Sequence, residues 1–128
     1  MKLKIPSSSS RLGQKGERLA EAFLKKHSYS IISRGYRSSY GEIDLIARQG
    51  PVLCFIEVKT RMNSGFGRPE EALTRSKISK ISRTALEYIR KNKLHGITVR
   101  FDVVAVSYES GRPELQLIQG AFESDISD

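Results

Sequence analysis

The chain has 128 residues, enough for one compact domain with a single core and too few for two. Its 22 Lys and Arg against 14 Asp and Glu leave a net charge of +8, which favours polyanionic partners, nucleic acid above all, without setting a fold. With one cysteine, Cys54, a disulfide framework and a thiolate zinc site within the chain are excluded, and no apolar run is long enough to span a bilayer.

The N-terminal stretch MKLKIPSSSSR is positively charged but lacks the apolar region of a signal peptide, so residues 1–11 are expected to be an unstructured leader on a cytoplasmic protein. The first periodic segment is GQKGERLAEAFLKKH, where Leu19, Ala20, Phe23 and Leu24 share one arc of a helix and Lys25 and Lys26 fall outside it. Glu17 lies at the edge of that arc and points along the core boundary. A first-turn glutamate favouring the helix dipole would account for it alone. YSIISRGYRSSYG reads as an irregular strand ending in a Ser/Tyr/Gly turn. EIDLIAR alternates, with Ile43, Leu45 and Ala47 on one face and Glu42, Asp44 and Ile46 on the other. RQGP is turn chemistry.

VLCFIEVKT is apolar on both faces, as a central, doubly covered strand should be, with Cys54 acting as a small buried hydrophobe. RMNSGFGRPEE is a glycine-containing loop. SKISKISRTALEYIRKNK is the clearest helix: Ile78, Ile81, Ala85 and Ile89 form one stripe, opposite Lys80, Arg83 and Arg90. GITVRFDVVAVSY and ELQLIQGAF complete the order α-β-β-β-α-β-β. One mixed sheet flanked by helices follows, an α/β domain over residues 12–122, with 123–128 as an unstructured tail. His27 and His95 fall near predicted helix ends, in no metal-binding spacing.

Charged residues in a strand core demand an explanation, because burying them unpaired is costly. If Arg48 and Leu53 flank a four-residue loop, Asp44 falls opposite Glu57 in the ladder, with Cβ atoms about 5 Å apart. Lys59, two residues on, shares that face; a one-residue slip would separate the carboxylates. Two carboxylates forced together repel, and a divalent cation relieves the repulsion. Oxygen ligands of this kind suit Mg²⁺ or Mn²⁺, with the Val58 carbonyl as a further candidate oxygen. The competing explanation is a buried Asp44–Lys59 or Glu57–Lys59 ion pair holding the hairpin. Such pairs stabilise weakly at best, which favours chemistry.

Asp44 followed by the EVK of Glu57, Val58 and Lys59, with Glu17 on a preceding helix, resembles the PD-(D/E)xK nuclease superfamily. The match is closer to the bacterial YraN-like family, uncharacterised by name and related to archaeal Holliday-junction resolvases. It is carried by GQKGERLAEAFL, GEIDLIA, FIEVKTR, GRPEEAL with Lys77 following, RFDVVAV, and GAF near the end, in that order and over nearly the whole chain after the leader. The resemblance implies a restriction-endonuclease-like fold, a four- or five-stranded mixed sheet between helices. It implies Asp44 and Glu57 as metal ligands, Lys59 as the catalytic lysine and Glu17 as a helix carboxylate supporting the metal directly or through water. Arg61 and Lys77 are the matching candidates for phosphate contact, Arg61 equally a solvated strand end.

Two departures stand out. Ile43 occupies the position of the proline in the superfamily's nickname, and Gly35 stands where relatives commonly carry asparagine. Asp102 matches a family segment but shares its face with Arg100, so a strand-end Arg100–Asp102 pair is expected rather than a third metal ligand.

The expected reaction is metal-dependent hydrolysis of a phosphodiester, in DNA ahead of RNA, with Arg68, Arg75, Lys80, Arg83 and Arg90 as further backbone contacts. A basic helix face is equally read as solvated surface. The alternatives are a nucleic-acid-binding module without turnover and a structural adaptor; no membrane partner is expected. Relatives that cut four-way junctions act as two-fold dimers, so a homodimer stays open.

Overall fold

The computed structural model describes residues 8–62 and 73–124, with side chains described from residue 13 onward. In chain order the elements are α1 (Ser8–Lys26), β1 (Ser30–Arg37), β2 (Glu42–Gln49), β3 (Val52–Arg61), α2 (Arg75–Lys91), β4 (Thr98–Ser107) and β5 (Glu114–Phe122). The strands form one sheet in the order β1-β2-β3-β4-β5, with β3 and β4 parallel and every other neighbouring pair antiparallel. This is the mixed α/β sheet that the α-β-β-β-α-β-β order predicts. The Asn63–Pro69 loop and Arg68 lie outside the described residues. Among the described residues no helix is long and apolar enough to cross a membrane.

Each face of the sheet carries its own core. On one, Ala20 and Leu24 of α1 pack with Leu45, Ala47, Cys54, Ile56, Val104 and Val106. On the other, Ile81, Ala85 and Tyr88 of α2 pack with Ile46, Leu53, Phe55 and Phe101. β3 therefore supplies alternate residues to both cores, and the apolar-on-both-faces pattern is explained by its central place. Cys54 is fully buried, and burial pushes its thiol up to about 11.

Three details differ from expectation. α1 starts at Ser8, inside the serine-rich stretch expected to be unstructured; serine is a favoured residue where helices begin. Ile43 packs with Ile46 against α2 rather than with Leu45 and Ala47. Strict alternation holds only along a regular ladder, and the β2–β3 pairing runs from Gln49↔Val52 to Leu45↔Ile56 before side chains take over. Of the predicted α2 stripe, Ile81 and Ala85 are buried and Ile89 is partly so, but Tyr88 rather than Ile78 completes the packed face.

The Arg100–Asp102 pairing is realised. Arg100 donates to both carboxylate oxygens, at 2.8 and 3.0 Å. Asp102, fully buried, also accepts from the Tyr29 hydroxyl at 2.8 Å and from the Gly120 N–H at 3.0 Å. Gln49 and Gln119 complete the network through Arg100 and Tyr29. It joins the end of α1 to β2, β4 and the edge strand β5.

α1 lies close against β3 at Gly16, where a Cβ would overlap the Thr60 hydroxyl. A glycine inside a helix costs roughly 1 kcal/mol relative to alanine, so its value here is steric. We expect Gly16→Ala to lose about 1–3 kcal/mol despite the better helix former, as overpacking does. Thr60→Ala in the same chain should recover most of it, a coupling that chemical denaturation of the two single variants and the double variant will read.

Candidate active site

The hairpin places its acids as the register requires. Arg48 pairs with Leu53 and Leu45 with Ile56, so Asp44 and Glu57 meet at the next step, where the ladder gives way to a reciprocal side-chain arrangement. The Asp44 carboxylate accepts the Val58 N–H at 2.8 Å, and the Glu57 carboxylate accepts the Asp44 N–H at 3.3 Å. Both side chains thus hang off the end of β2–β3 on the α2 side, in a cleft of about 380 Å³ lined also by Glu42, Thr74, Lys77 and Lys80.

Burial governs the electrostatics. Glu57 is 4% exposed, and burial, then the charge of Asp44, pushes its carboxyl up to about 8. Burial also raises Asp44, although the Val58 N–H favours its ionised form. On Lys59 burial acts in the opposite sense and lowers the ammonium pKa, reinforced by the neighbouring Lys77 charge; Glu57 and Asp44 oppose that shift. Glu17 is raised by partial burial and then by the charges of Asp44 and Glu42, which places it within electrostatic reach of those two acids, although it lines a separate hollow with Arg18, Glu21 and Leu45. Four acids and two lysines therefore share one field.

Among the described residues each carboxylate is held by a backbone N–H and makes no lysine salt bridge, although the Lys59 and Lys77 charges reach both; this separates the arrangement from a hairpin clasp. Among the described residues no three His, Cys, Asp or Glu side chains form a ready-made metal cluster. Two carboxylates with a polar mouth still fit a hard cation such as Mg²⁺, which takes one or two protein carboxylates and keeps water and phosphate oxygens for the rest.

The structure orients the basic helix. Lys77 and Lys80 line the cleft with Asp44 and Glu57, whereas Arg83 and Arg90 line an adjoining hollow of about 260 Å³ with Tyr40 and Glu87. α2 enters the site by its N-terminus, capped by the Thr74 hydroxyl, which accepts the Lys77 N–H at 3.1 Å. Arg75 is exposed at the first residue of α2 and does not line the cleft; Arg61 ends β3, opposite Ser107. Sequence reasoning missed Glu42, which lines the cleft mouth and pairs with Arg37 at 2.9 Å. The signal was present, since Glu42 lies two residues before Asp44 on the same strand face.

Comparison with known proteins rests on the segments that build this site. The model of the uncharacterised protein family UPF0102 matches residues 16–106, from within α1 through nearly all of β4. A UPF0102 protein of Rhodococcus opacus is 46% identical over 112 residues, covering 87% of this chain and 95% of the relative. One from Geobacter metallireducens is 40% identical over 112 residues, 88% of this chain and 92% of the relative. Another, from Desulfosudis oleivorans, is 42% identical over 116 residues, 90% and 92% of the two chains. The lengths match as well as the residues, and the chain belongs to the uncharacterised protein family UPF0102.

Proposed function

We propose that the protein is a metal-dependent endonuclease that hydrolyses phosphodiester bonds, in DNA ahead of RNA, as its resemblance to the PD-(D/E)xK nucleases implies. The observation that carries this reading is the reciprocal Asp44–Glu57 arrangement, a half-buried and a buried acid held side by side, with no lysine salt bridge to either among the described residues. Burial, and then the Asp44 charge, raises the Glu57 carboxyl, and burial and the Glu42 charge raise Asp44, a strain that a bound cation would relieve.

Asp44 and Glu57 would hold Mg²⁺ or Mn²⁺, with Glu17, which lines a separate hollow on α1 but feels the Asp44 charge, supporting the site through water. When bound, the ion lowers the pKa of a coordinated water and neutralises charge on the phosphate. Lys59 would stabilise the negative charge that develops on the phosphoryl oxygens. Its depressed pKa, caused by burial and by Lys77, also lets it exchange a proton nearer neutrality than a free lysine. Lys77 and Lys80 bind non-bridging phosphate oxygens at the cleft mouth, where the α2 N-terminus adds its partial positive charge. Arg83 and Arg90 extend the track, and the net charge of +8 makes binding fall steeply with salt.

The test is purified protein with Mg²⁺ or Mn²⁺ against branched, flapped, duplex and single-stranded substrates. We expect cleavage by the wild type and its loss, by about 1000-fold or more, in Asp44→Ala and Lys59→Ala. Salt-sensitive binding with no cleavage of any substrate would replace the enzyme by a binding module; no nucleic-acid binding at moderate salt would remove both. Symmetric cutting of a four-way junction would further demand a two-fold dimer, visible as the mass in solution.

A further inference from the structure

We propose that Tyr40 is a stacking platform for an unpaired nucleobase, so that the preferred substrate presents an unstacked nucleotide next to the phosphate held in the cleft. This rests on the nucleic-acid reading above and narrows its substrate class.

Tyr40 is 47% exposed, the other large apolar side chains so exposed among the described residues being the aliphatic Ile32 and Met62. The turn that carries Tyr40 is not a loose one. The Ser38 N–H donates to the Gly41 carbonyl at 2.8 Å and closes it. The Tyr40 N–H donates to the Ser38 hydroxyl at 3.0 Å, and that hydroxyl meets the Thr84 hydroxyl of α2 at 3.0 Å. Thr84 is anchored in turn on the Lys80 carbonyl at 2.8 Å. Gly41 lies so near α2 that a Cβ there would already touch Lys80. The backbone that carries the ring is therefore held in a fixed place, which lowers the ordering entropy lost when a ligand meets it.

Its surroundings match a nucleotide. The Arg83 guanidinium lies over the ring, 5.9 Å from its centroid, and Arg90 lines the same hollow. A surface cation–π pair contributes only about 0.5–1 kcal/mol, a weak reason by itself to leave a tyrosine exposed. Gly41 and Glu42, the next two residues, line the cleft of Asp44 and Glu57, so platform and cleft share one wall. Along α2, Lys80 faces the cleft and Arg83 faces Tyr40, a rise of about 4.5 Å on the helix, of the same order as the roughly 3.4 Å rise per nucleotide along one strand of a duplex. A backbone drawn along these cations carries its next base onto the ring. A base within a duplex has neighbours on both faces and cannot accept the ring, whereas a flap, loop or single strand can.

The experiment uses the full chain carrying Asp44→Asn, without added metal, so that binding is read apart from cleavage. Oligonucleotides with 2-aminopurine at successive positions of a single-stranded flap, and blunt duplexes of matching length, serve as probes. We expect fluorescence quenching at one or two flap positions. Tyr40→Ala should abolish it and weaken flap binding by about 5- to 150-fold. Tyr40→Phe should retain both effects, and blunt-duplex binding and the melting temperature should be unchanged by either substitution. Equal loss on flap and duplex, or no loss on either, would overturn the platform while leaving the nuclease reading intact. Stacking without cleavage by the parent chain would do the reverse, and no binding of any probe would overturn both.

Discussion

Replacing Asp102 by alanine should cost the fold about 3–5 kcal/mol, because it strips the buried carboxylate from a charge network centred on it. Asp102 is fully buried and accepts from Arg100, from the Tyr29 hydroxyl and from the Gly120 N–H. Its removal takes an acceptor from three donors; Arg100 keeps Gln49 Oε1, but the buried Tyr29 hydroxyl loses the carboxylate it donates to and Arg100 loses its counter-charge. Against a total of about 5–15 kcal/mol for an ordinary domain, the loss is large enough to leave the variant partly unfolded at physiological temperature. The double replacement Arg100→Met with Asp102→Leu should be less destabilised than Asp102→Ala, since it removes donor and acceptor together. Denaturant melts of the variants decide the matter. A double variant less stable than Asp102→Ala would show that shape, not charge pairing, sets the stability of this corner.

Glu57→Gln should have effects of opposite sign on the fold and on the chemistry. Burial and the Asp44 charge push the Glu57 carboxyl from its ordinary value near 4.5 to about 8. The folded chain thus keeps a proton that the unfolded chain releases, and stability falls as pH rises from about 4.5 to 8, then levels off. Glutamine can still accept the Asp44 N–H but has nothing to ionise. The variant should match wild type near pH 4 and exceed it by on the order of 2 kcal/mol near pH 9, read as a melting temperature that no longer drops over that range. Its affinity for Mn²⁺, measured by calorimetry, should fall by about 100-fold or more. In the wild type the affinity should rise with pH up to about 8, because the cation must displace that proton. A Glu57→Gln chain less stable than wild type near pH 9 would refute the strained-pair account.

How much of this was readable beforehand varied with the physics involved. The hairpin register followed from a turn and a period of two, both local, and Arg48 does face Leu53. The central place of β3 followed from residues apolar on both faces. Ile43 was misplaced because alternation presumes backbone pairing, and pairing stops one residue before Asp44 uses its carboxylate on Val58 instead. The basic stripe of α2 was visible, but periodicity fixes a face relative to the helix and not relative to the sheet. That Lys77 and Lys80 share the cleft while Arg83 and Arg90 share the next hollow is a tertiary fact. Tyr40 looked like turn composition, since nothing in SSYG announces the Ser38–Thr84 contact that holds it to a helix more than forty residues away.

The Gly16–Thr60 contact ties mechanics to chemistry. Glu17, the next residue on α1, feels the charge of Asp44 only as strongly as the helix stands close to the sheet. Any side chain at 16 acts as a shim that tips α1 outward and moves that carboxylate with it. In a library randomised at 16 and 60 together, variants rescued for folding by a smaller residue at 60 should therefore still differ from the parent in ion preference, and selection for thermal endurance alone would drift the site without touching it.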